Sequence, residues 1–240
     1  MNRDRTSWTL FSLSLLVLVL LGCGGETNFA DNEAGGSAVS PQSLDNLKNI
    51  VFGMHDFEIN ANKLPPQGSL DDRTPRFSWR VHILPSLNAT DLHGRFKFDE
   101  PWDSPHNLEV AKAMPEVFKS PGGDLPAGMT RYQVVMMEGS VFNRKKPLNL
   151  GMLSSQDGAA QTIGVVEVNA DIAVFWTKPA DFQVNPDNPK DGLGGDRDGI
   201  LAAFMDGTAT VLSKDIAPEH LKAMFTADGG EIVPLDTFNK

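Results

Sequence analysis

Thiols are nearly absent from this chain: Cys23 is the one cysteine in 240 residues. A single thiol excludes an intramolecular disulfide, a cysteine-ligated iron–sulfur cluster and a thiolate zinc site, so stability must come from packing. Basic charge is also short, with 21 Lys and Arg against 31 Asp and Glu and a net charge of −10. No basic stripe and no aromatics alternating with Arg are present, which argues against nucleic-acid binding. Long apolar runs are missing too. The run from Trp8 to Leu21 is about 14 residues, short of the roughly 20 that a membrane-spanning helix needs. The five histidines, His55, His82, His93, His106 and His220, form no HExxH and no close pair of the zinc-site kind. There is no G-x-S-x-G elbow, and GGDRDG precedes an apolar run where a phosphate loop would follow one. No internal repeat is visible.

What is present begins with an address. Arg3 and Arg5 precede the Trp8–Leu21 run, which reads as the apolar region of a signal peptide over residues 1–22. Leu20-Leu21-Gly22-Cys23 resembles the lipobox of bacterial lipoproteins, in which cleavage precedes the Cys and its sulfur carries a diacylglycerol. Multiple acyl chains give stable anchoring where one does not. Gly24 rather than Asp follows Cys23, which by that resemblance favours the outer membrane of the cell envelope. Residues 23–40 are rich in Gly, Ser, Ala and acid without any period, as in a flexible tether. Residues 41–240 then form a single domain.

Ser40-Pro41 is a plausible helix start, and Leu44, Leu47, Val51 and Met54 recur at three- and four-residue steps, with Ile50 and Phe57 widening the stripe. The pattern predicts an amphipathic helix from Pro41 to about Ile59, stopped before Leu64-Pro65-Pro66. Short helical pieces broken at Pro85 follow over Ser78–Phe98. Another helix is capped at Ser104 or Asp103 and reaches Met114. After Gly122 the period changes: YQVVMME, TIGVVEV and IAVFW are β-rich. In LAAFMDGTATVL two such runs flank Asp206-Gly207, the preferred pair for a two-residue type I′ hairpin. A last helix spans PEHLKAMFTAD, with Gly229 as its C′ residue. Helices first and strands later give an α+β fold with an N-terminal amphipathic helix on an antiparallel β-sheet, plus short helices and long loops.

Three stretches together resemble a planctomycete-type family of envelope proteins of unknown function, related to type II secretion pseudopilins. They are LDNLKNIVFGMHDFEINANKLPP; FSWRVHILPSL with FDEPWDSPHNLEVAKAMPEVF; and VVEVNADIAVFWTKPAD with FMDGTATVL and LKAMFTADGGE. The resemblance runs from Leu44 to Glu231. It implies a pilin-like architecture, with Trp79, Pro101, Trp102, Asp103, Pro105, His106, Asn107, Asp206 and Gly207 as its structural signature. Many members carry His ten residues before Asp-Gly; Asp196 stands there in this chain. The lipobox and tether replace the membrane-spanning half of a pilin helix.

Two stretches could carry chemistry. DEPWDSPHN, Asp99–Asn107, could pair Asp99, Glu100 or Asp103 with His106 for general acid–base work. It reads better as a turn and helix start pinned by a buried Trp102. NPDNPKDGLGGDRDG offers Asp187, Asn188, Asp191, Asp196 and Asp198 as hard oxygen ligands suited to Ca2+, without EF-hand spacing. Some pseudopilins bind calcium in a C-terminal loop, although a solvated acidic loop accounts for this composition equally well. The resulting expectation is a non-catalytic, lipid-anchored structural or interaction module, held at the membrane by its lipid, with an envelope protein or glycan as partner. The alternatives are an extracytoplasmic solute- or glycan-binding protein stabilised by calcium, and a hydrolase centred on Asp99–His106.

Overall fold

The apolar stripe of the first helical segment is realised as α1, Pro41–Ala61. Leu47, Ile50, Val51 and Met54 are wholly buried, while Leu44 and Phe57 are half-buried at the edges of the stripe. Burying those four side chains contributes roughly 6–12 kcal/mol as an upper bound. Ser40 occupies the N-cap position without a side-chain cap bond. The helix ends where Asn62 turns left-handed at φ 53° and its N–H bonds Glu58 O. The computed structural model describes residues 39–66, 77–122, 124–143, 148–195 and 197–230. They lie within one compact unit, Ala34–Lys240. No described helix is long and apolar enough to cross a membrane.

Short helical pieces follow: α2 (Trp79–His82), a 3₁₀ turn at Pro85–Leu87, α3 (Thr90–His93) and α4 (Pro105–Ala111). After a second 3₁₀ turn at Glu116–Phe118 the chain becomes largely strand. The remaining elements are β1 (Met129–Thr130), β2 (Tyr132–Met136), α5 (Leu150–Ser154), β3 (Ile163–Glu167), β4 (Val174–Phe175), β5 (Phe182–Gln183), β6 (Ile200–Phe204), β7 (Ala209–Leu212) and α6 (Pro218–Phe225). The main sheet has the order β5-β2-β3-β6-β7, and β1 pairs with β4 in a separate two-stranded ladder. Pairing from β2 to β7 is antiparallel, whereas β5 joins β2 in parallel, so the sheet is mixed.

Both faces of this sheet are covered. Val134, Val165, Leu201 and Ala203 point into the core beneath α1. Val135, Val166, Ile200 and Ala202 point the other way, into a second cluster with Leu221, Met224 and Phe225 of α6. That double burial explains why β6, and β3 up to its closing Glu167, read as small and apolar runs rather than alternating ones. The fold is therefore α+β, with the sheet between α1 and α6.

Three local expectations change. The β6–β7 connection is not a two-residue type I′ hairpin, because only Gly207, not Asp206, has positive φ (91°). Gly207 N bonds Phe204 O, and Phe204 N bonds Thr208 O, giving a three-residue loop with Gly207 as the bulge residue. Asp206 Oδ1 accepts from Thr208 N and Oγ1, which favours the one-residue-longer loop. At α6, Thr226 turns extended and ends the helix, so Gly229 is not its C′ residue; its N–H instead bonds Asp157 Oδ2. Of IAVFW, only Val174 and Phe175 are strand, because Ala170–Ile172 winds into a 3₁₀ turn.

Candidate functional site

The DEPWDSPHN segment is organised by its asparagine. Asn107, in the first turn of α4, is fully buried. Its Nδ2 donates to Lys97 O (3.0 Å) and Pro101 O (2.8 Å), while its Oδ1 accepts from Lys97 N (3.0 Å). One side chain thus closes two successive turns. Ser104 caps α4 by accepting from Asn107 N (3.1 Å). Trp102 is only half-buried, its ring 5.7 Å from that of Phe175, so it packs at the edge of the core and is not the pin. His106 is exposed, with Nε2 2.9 Å from Arg95 O. Hydrogen bonds from Ser104 and Lys97 hold the Glu100 carboxyl below its ordinary pKa, the opposite of what a general acid needs. Asp99 and Asp103 face solvent.

Trp79 lies in the core and donates Nε1 to Asp181 Oδ1 (3.0 Å). Arg80 stacks its guanidinium 4.5 Å from the Trp79 ring centre and pairs with the same Asp181 oxygen at 2.8 Å. It also donates to Tyr132 O and Ser78 Oγ. Burial lowers the Arg80 pKa and Asp181 opposes that shift. A second buried group joins Glu167 to Arg131 and Arg197, with Ser120 Oγ donating to Glu167 Oε1. Burial, then the Glu167 charge, raises the pKa of the neighbouring Tyr132. These charges tie loops to strands, and no composition signal distinguishes them from surface residues.

The acidic loop brings together less than its composition offers. Asp187, Asn188, Asp191 and Asp198 are exposed. Asn185 Nδ2 lies 3.4 Å from Asp191 Oδ2, and Asn185 Oδ1 accepts from Asp187 N (3.1 Å). Among the described residues no three His, Cys, Asp or Glu come together as a metal site. Asp196 lies outside the described residues, as do Cys23, the signal peptide and the tether as far as residue 38. His55, the flanking histidine of α1, places Nε2 2.7 Å from Met205 O and so ties the helix to the β6–β7 loop.

Two hollows among the described residues lie elsewhere. A groove of about 620 Å³ runs along α1 past Asn49, Phe52, Gly53 and Asp56, and Leu87 and Val117 also line it. Phe52 is 54% exposed although its ring lies over Gly207. Gly53 lets Leu87 pack against the helix: a Cβ there would sit 2.9 Å from Leu87 Cδ2. A smaller hollow of about 350 Å³ is lined by Lys112, Lys119 and Ser120. Its lysines are paired with Glu109 and Glu116. Neither hollow is lined by any residue from Asp99 to Asn107.

Residues 41–129 match the model of a family described as protein of unknown function (DUF1559). The likeness is to DUF1559. No curated protein and no solved structure matches the chain significantly. The DUF1559 segment carries α1, Trp79, the whole of DEPWDSPHN and every residue lining the larger groove. The matched part stops at Met129, well short of Glu231, so the main sheet and Asp206-Gly207 lie outside it.

Proposed function

We propose that this protein is a non-catalytic interaction module of the bacterial cell envelope. In this reading a diacylglycerol on Cys23 holds it to a membrane, the outer one in a diderm cell, and a pilin-like domain on a tether presents a binding face. The carrying observation is that Asn107, Ser104 and His106 of DEPWDSPHN bond backbone groups of that segment and its neighbours Arg95 and Lys97, while Asp99 and Asp103 face solvent. Leu20-Leu21-Gly22-Cys23 supports the anchor, because it puts the chain's one thiol where lipidation would consume it.

The anchor is tested by labelling cells with an alkyne fatty acid and partitioning extracts between aqueous and detergent phases. Wild-type protein should take up label and enter the detergent phase, whereas Cys23→Ala should do neither. Retention of the variant in the detergent phase would sink the anchor.

A further inference from the structure

We propose that the α1 groove is a docking site for a short amphipathic, basic segment of another protein. The proposal deepens the interaction-module reading and rests on it. The groove follows α1 from Asn49 to Asp56, about two helical turns or roughly 10 Å. Its apolar surface comes from Phe52, Leu87, Val117 and Pro115, and its rim carries Asn49 and Asn88. Gly53 lets Leu87 pack directly on the helix, so an occupant would rest on Phe52 and Leu87 side by side.

Charge selects the occupant. Asp56 and Glu116 are the ionic residues in the lining, and both are acidic. Glu116 pairs with Lys119 at the surface, a contact that contributes little and exchanges readily. Asp56 makes no ion pair with a described residue and so presents an uncompensated charge beside Phe52. A second copy would bring the same carboxylates, and another net charge of −10, against this face. Lys or Arg flanking an apolar side chain satisfies both features: the apolar group covers the exposed Phe52 ring and the cation meets Asp56.

The test uses the full chain in phosphatidylcholine nanodiscs, with empty nanodiscs subtracted. The probes are three fluorescent 14-residue peptides: amphipathic Leu/Lys, amphipathic Leu/Glu, and Lys/Ser without an apolar face. The Leu/Lys peptide should bind, and a photo-crosslinker on it should mark residues 49–56, 86–88 and 115–117. Phe52→Ser should weaken binding about tenfold, the loss of one partly buried aromatic contact. Asp56→Lys should weaken it about fivefold and flatten its salt dependence, while the exposed Met152→Ser should change nothing. Asp56→Lys keeps the test decisive should Phe52→Ser fail to fold. Absence of Leu/Lys binding, equal binding of Leu/Glu or Lys/Ser, or indifference to both variants overturns the groove. Self-association lost in Phe52→Ser also overturns it, naming a second copy as occupant. Adducts mapping to another face remove the groove and leave the interaction module standing. If none of the peptides binds and crosslinking on native membranes yields no partner, both fall.

Discussion

Asn107 shows how one side chain can organise a polar segment. Its amide closes three hydrogen bonds to backbone groups of Lys97 and Pro101, and its own N–H is capped by Ser104. Asn107→Ala would leave part of that backbone unpaired in a poorly hydrated place, at a cost of about 2–3 kcal/mol. His106→Ala removes one bond at an exposed position and should cost less than about 1 kcal/mol. Urea unfolding of the two variants checks the ranking, and a larger loss in His106→Ala would contradict it. The sequence put His106 and Asn107 side by side and gave no sign of which was buried. Burial was decided by the direction in which α4 leaves its cap, with Asn107 facing inward beside Val110 and Ala111.

At the scale of elements, the helical stripe of α1 was legible because each apolar residue reported its own face. The β6–β7 loop was legible as a turn at Asp206-Gly207, but its length was not. Loop length depends on where Phe204 and Thr208 pair, a matter of register across two strands. Met205 N and Asp206 N are also held by Thr162 O and Ala159 O, so the loop is clamped from outside the hairpin. Gly207→Ala places a Cβ 2.7 Å from the Phe52 ring at φ 91°, where side chains are strained. It should cost about 1–2 kcal/mol from the backbone alone. Thermal unfolding measures this, and increased exposure of the Phe52 ring should accompany it. A variant as stable as the parent would show that the loop relaxes to another geometry.

For the molecule as a whole, acid sensitivity follows from two histidines about the Phe98 ring. His82 stacks on that ring and His93 lies 4.8 Å from it. Burial, then the charge of His93, lowers the His82 pKa from 6.5 to about 4, and burial lowers that of His93. Both groups are depressed, so the unfolded chain binds protons first as the pH falls. Their contribution is complete above the unfolded value near 6.5 and is lost as the pH falls toward 4. Global stability should drop by about 2 kcal/mol from His82 between pH 7 and pH 5, and His82→Gln should remove most of that slope. Chemical denaturation across this interval decides it, and an unchanged slope in the variant refutes the assignment.

The sequence alone determined what is local or compositional: α1, the helix start at Ser104-Pro105, the turn at Asp206-Gly207, the α+β class and the exclusion of disulfides. Each follows from residues adjacent in the chain or from a count. Tertiary structure decided what depends on contacts across the chain. Arg80 and Asp181 are 101 residues apart, and Arg131, Glu167 and Arg197 come from different strands or loops. The groove joins Phe52 to Leu87 and Val117, three apolar residues that look like ordinary core from their neighbours alone. Phe52 did carry a faint signal, a large aromatic lying off the Leu47–Val51–Met54 stripe. What made it a wall rather than a stray surface residue was the packing of Leu87 against Gly53, which only the folded chain supplies.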